Sequence, residues 1–110
     1  MPRLDTMIEM GAQAICDPLQ PLDNLPQRLA AHWPDAPALE LVVALASAAD
    51  GVQSMFGEGC DSGQRAARVW RQAAMVGADL HYLALSASPA TTAADLLQHW
   101  ENEMPRMGAA

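Results

Sequence analysis

The stretch "DAPALELVVALASAADGVQSMFG", residues 35 to 57, decides the fold. Leu39, Val42, Leu45, Ala49, Val52 and Phe56 recur every three or four residues, the spacing that lines up side chains on one face of an α-helix. Leu41, Ala44, Ala48 and Met55 fill a second face, and only Glu40, Ser47, Asp50 and Ser54 make a polar stripe. A helix apolar over most of its circumference has to be covered on several sides. The pattern predicts a central helix over about 36–56, with Asp35 as its cap, Pro37 in its first turn and Gly57 as its stop.

Upstream, Thr6 and Glu9 match a capping box, and Met7, Ile8, Gly11 and Ile15 share a face until Asp17-Pro18 ends the run. The loop "DPLQPLDN" leads to a short second helix, with Asp23 or Asn24 as cap and Pro26 in its first turn. Its apolar face is Leu25, Leu29 and Trp33, and Pro34 terminates it. Downstream, "GEGCDSG" (57–63) is the one Gly-rich loop. Asp61 or Ser62 then caps a long fourth helix over about 62–86, whose buried face is Val69, Ala73, Val76, Leu80 and Leu83. Gly77 inside it costs ~1 kcal/mol relative to Ala, which predicts a close helix crossing or a bend. Pro89 breaks the chain, and Thr92 with Asp95 writes a second capping box for a fifth helix to about residue 103. Leu96, Leu97 and Trp100 form its apolar side, Pro105 ends it, and 105–110 is read as a frayed tail. No alternating strand pattern stands clear of a helical one. The expectation is an all-α, compact bundle of about five helices forming a single domain over 1–110.

Composition narrows the function classes. Thirteen Asp and Glu against six Arg and no Lys give a net charge of −7, which repels phosphate backbones and disfavours nucleic acid as a general partner. Abundant alanine and arginine without lysine suggest a GC-rich, bacterial coding sequence. Asp5 and Glu9 interrupt the start, no apolar leader follows, and the run "LVVALASAA" is half the length of a bilayer span. A cytoplasmic protein with free thiols at Cys16 and Cys60, and no membrane association, is therefore expected.

Few residues offer chemistry. "AAHWPD" (30–35) and "LLQHWEN" (96–102) each place His beside Trp. Both pairs are read as helix ends, where His faces unpaired carbonyls and Trp continues the apolar side. His32, His81 and His99 are far apart and show no zinc spacing, so no metal site and no cofactor are expected. Cys60 precedes a helix N-terminus near Arg65, a setting for a reactive thiol, although Glu58 and Asp61 oppose it. The spacing from Cys60 to Arg65 is one residue short of the C-x5-R loop of cysteine phosphatases, and no strand precedes it. Arg65, Arg68 and Arg71 hold half the positive charge and follow one side of the fourth helix. They suit either an anionic partner or internal pairing with Glu58, Asp61 or acids of another helix. His81 lacks the basic and small neighbours of a phosphotransfer histidine. Met7, Met10, Met55 and Met75 lie on or beside apolar faces, as core filler or as adaptable contact surface.

The leading expectation is a non-enzymatic helical protein acting through protein–protein contact, by self-association or as a regulatory adaptor, with the first helix, the Met-bearing faces and Trp70 as contact surfaces. A nucleic-acid-associated regulator using Arg65, Arg68 and Arg71 is the alternative, and a redox or thiol enzyme using Cys60 the third. No small-molecule ligand is legible.

Overall fold

A computed structural model describes residues 2–86 and 91–109, with side chains described for 3–85 and 91–102. The architecture is an all-α bundle of α1 (Pro2–Cys16), α2 (Leu25–His32), α3 (Ala38–Phe56), α4 (Asp61–Ser86) and α5 (Ala93–Ala109). Among the described residues there is no strand, only an isolated antiparallel bridge between Pro37 and Thr92.

The spine is the hairpin of α3 and α4. Gly57, at φ 80°, ends α3 in a backbone conformation that side chains with a Cβ resist, and its N–H donates to Gln53 O at 2.8 Å. The chain then reverses so tightly that Gly63 lies against the loop backbone, where a Cβ would collide with Gly57 O and Glu58 Cα. Ala44, Leu45, Ala48, Ala49 and Val52 of α3 are buried with Ala66, Val69, Ala73 and Val76 of α4. α1 packs across α3, with Met7, Gly11, Ala14 and Ile15 inward; a Cβ on Gly11 would stand 3.0 Å from Ala48 Cβ. α2 pairs with α5, and both reach α3. By length and composition α3 could cross a membrane. Here it lies between α1 and α4 with seven residues buried.

Several expected helix ends move. α1 starts at Pro2, so Thr6 and Glu9 lie within the helix and are no capping box. Arg3 pins the first turn to α3 by a 2.9 Å ion pair with Glu40, and Glu9 instead takes a 3.4 Å hydrogen bond from Gln13. Asp35 does not cap α3. The first donor of α3, Ala38 N–H, goes to Thr91 O at 3.0 Å, while Ala93 and Ala94 N–H of α5 go to Ala36 O and Pro34 O at 2.8 and 3.0 Å. Backbone pairing between the two helix starts thus satisfies donors that a side chain would otherwise cap. α4 begins at Asp61, which moves the cap to Cys60. Thr92 and Asp95 do form the reciprocal capping box, at 3.0 and 3.3 Å. α5 continues past Pro105 to Ala109, since a proline deletes one helical hydrogen bond and kinks a helix without necessarily stopping it. The chain break expected at Pro89 lies outside the described residues, as do the side chains of the expected tail.

Gly77 marks no close helix crossing. No atom lies within 4 Å of where its Cβ would stand, and α4 runs unbroken; the close approaches fall at Gly11 and Gly63.

Candidate functional site

The arginines of α4 divide by role. Arg65 and Arg68, with Gln72 one turn on, face the loop between α1 and α2. Arg65 Nε donates to Ile15 O, and its Nη2 lies 2.8 Å from the carbonyls of Ala14, Asp17 and Gln20. These are the unpaired C-terminal carbonyls of α1 and the turn beyond it, a focus of partial negative charge. Internal pairing was expected with carboxylates; the counter-charge of Arg65 is instead a helix end. Arg68 Nη2 meets Asp23 Oδ1 at 2.8 Å in an exposed pair that contributes little to stability. Gln72 Nε2 donates to Leu22 O, and Arg28 donates to Gln20 Oε1 and Pro21 O from the far side. Arg71 points elsewhere: it is exposed, and no described residue pairs with it.

Cys60 is exposed but structurally engaged. Its sulfur accepts Gly63 N–H at 3.4 Å, the bond a serine cap makes at the third helical position, and lies 3.4 Å from Phe56 O as donor. The thiol therefore joins the last turn of α3 to the first turn of α4. Arg65 is turned toward α1, so the structure does not bring the two together as an anion cradle.

The His-Trp pairs differ. His32 is the last residue of α2 and exposed, its ring 4.2 Å from that of Trp33 at the C-cap. His99 and Trp100 lie well inside α5, away from its end, because the helix runs on beyond Pro105. Trp100 is buried and donates its indole N–H to Asp79 at 2.8 Å, while His99 lies 5.8 Å from Tyr82 between ring centres. Among the described residues no three His, Cys, Asp or Glu side chains gather as metal ligands.

Two surface features were read in the sequence only through single residues, among them Met75 of the first and Trp70 of the second. The first is a groove of about 360 Å³ between α2, α4 and α5, with Pro26, Gln27, Arg68, Arg71, Met75 and Trp100 among its walls. The amide oxygens of Gln27 and Gln72, on its lining, are buried with no hydrogen-bond donor. The spacing of Arg68, Arg71, Gln72, Met75 and Asp79 along α4 carries this signal, but only α2 and α5 turn it into a groove. The second feature is the outer side of the α3–α4 hairpin. Leu39 and Val43 of α3 are 59% and 40% exposed, and Trp70 and Leu85 of α4 are 39% and 74% exposed. Exposed Ala74, Ala78 and His81 connect Trp70 to Leu85 at helical spacing. Trp70 donates to Gln53 Oε1 at 3.0 Å near one end, and Leu39, Leu80 and Ala84 line one depression at the other, so the two stripes lie side by side. Met55 and Met75 are also exposed, which corrects their reading as core filler: only Met7 is fully buried and Met10 half-buried.

No family model, no curated protein and no solved structure matches the chain.

Proposed function

We propose that the protein acts by binding a second copy of itself through the outer side of the α3–α4 hairpin. The observation that carries this reading is the exposure of Leu39 and Val43, on the most apolar helix of the chain, at the Leu85 end of a side that has Trp70 exposed at its other end. Large apolar side chains contiguous over two adjacent helices are the composition of an interface centre. Charge supports a second copy as the occupant. Two molecules of net charge −7 repel over most of their surface. The stripe through Leu39, Val43, Trp70, Ala74, Ala78, His81 and Leu85 contains no Asp or Glu. The same face of α3 carries one exposed carboxylate, Asp50, toward the Gln53–Trp70 end, so a two-fold, self-complementary contact centres on the Leu39 and Leu85 end, away from it.

Nucleic-acid binding through the arginines has less support, because Arg65 and Arg68 already have partners within the chain. A thiol enzyme has less support for a similar reason: the Cys60 sulfur is occupied at the helix start.

Sedimentation of the wild-type chain and of the double variant Leu39→Glu, Val43→Glu tests the proposal. The wild type should form a dimer as its concentration rises through the micromolar range, and the variant should remain monomeric with unchanged helical circular dichroism. A wild-type monomer at several hundred micromolar, or a dimer indifferent to the substitutions, would overturn it.

A further inference from the structure

The groove between α2, α4 and α5 presents a second chemistry, on the other side of α4 from the stripe of Trp70 and Leu85. We propose that it binds a short peptide segment in which an acidic side chain stands next to an apolar one. Three observations converge there. Arg71 is exposed at the groove with no counter-ion among the described residues, and Arg68 beside it spends one terminal nitrogen on the loosely held Asp23. A guanidinium offers paired N–H donors in the fork geometry that a carboxylate matches.

The second observation is a deficit of donors. The Gln27 and Gln72 amide oxygens are buried and unpaired, an arrangement that is unfavourable for a desolvated acceptor. Rotation about the soft terminal torsion turns the Gln27 amide oxygen toward the groove, where a peptide N–H satisfies it, whereas the Gln72 amide is held by its bond to Leu22 O. A peptide carries that donor in every residue except proline. The third is an apolar wall. Met75 is 66% exposed and adaptable, Val76 lies beneath it, and the Trp100 ring is held in place by its bond to Asp79. The volume, about 360 Å³, lies at the small end of ligand pockets.

The acids of the groove set the charge of the occupant. Asp23 and Asp79 both line it, so a dianionic phosphate meets more repulsion than a single carboxylate does. A purely apolar segment would leave Arg71 unanswered.

The test uses two synthetic pools of capped pentapeptides, one with a fixed central Glu between randomised apolar residues, the other with Gln in its place. Binding is read by nitrogen-15 NMR from the Trp100 indole, the Arg71 side chain and the two glutamine amides. The Glu pool should shift these signals in the wild type, whereas the Gln pool and the Arg71→Gln variant should each bind at least about tenfold more weakly, the cost of roughly one charge-assisted contact. Equal shifts by both pools, no shift at millimolar peptide, or displacement of the Glu pool by equimolar inorganic phosphate would overturn the assignment. The same result is expected in the Leu39→Glu, Val43→Glu background, so failure of the dimer leaves this test intact.

Discussion

Arg65 shows how one side chain replaces several weaker devices. Four carbonyls within 2.8 Å of a single guanidinium close α1 and fold the following turn back onto α4. Removing it strands the Ala14, Ile15 and Gln20 carbonyls in a half-buried place, while Asp17 O keeps the Gln20 N–H. Arg65→Met should therefore lower stability by about 2–3 kcal/mol, with Arg65→Lys intermediate because an ammonium cannot fork to the same set. Urea unfolding of the three proteins checks this, and a loss under about 0.5 kcal/mol for Met would refute it. Arginines three residues apart were plain in the sequence; their partners were not. The partners are backbone carbonyls some fifty residues away, and a carbonyl carries no residue type for sequence reasoning to find.

At the scale of elements, helix interiors were legible and helix ends were not. Periodicity located all five helices because burial imposes it along many residues. Ends depend on one or two hydrogen bonds, and a nearby backbone can supply these as well as a side chain. Hence Asp35 lost its role to Thr91, and Thr6 was absorbed into a helix beginning at Pro2. The glycines give a sharp contrast within α4. Gly77→Ala meets open space and removes a flexible residue from a helix interior, so it should stabilise the protein by about 1 kcal/mol. Gly63→Ala drives a methyl into the α3–α4 turn and should destabilise by about 2 kcal/mol or more. Thermal unfolding of the two variants should move in opposite directions; a fall in both midpoints would contradict the packing at Gly77.

For the molecule as a whole, the bundle was legible and its outward faces were not. A helical repeat states that Leu39, Val43 and Met55 are apolar, but the number of neighbours, set by the complete fold, decides whether they are covered. The same limit hid the groove, whose walls come from three separate helices. Charge adds a prediction at this scale. If acidic protomers meet through an uncharged stripe, salt should promote their association. Raising ionic strength from about 0.01 M to about 1 M shortens the screening length from ~30 Å to ~3 Å. The dimer dissociation constant should then fall several-fold by sedimentation, whereas a rise would mean that ion pairs hold the interface.

The antiparallel bridge at Pro37 and Thr92 has a further consequence for this body. The polypeptide enters the hairpin and departs from it through one shared doorway, where Ala38 N–H is bonded to Thr91 O and Ala93 N–H to Ala36 O across the threshold. Peeling α5 away strips α3 of its leading donor's partner, and fraying α3 does the same to α5. Neither segment can melt alone without loosening the other, which ties sequence neighbourhoods more than fifty residues apart into a common act of opening.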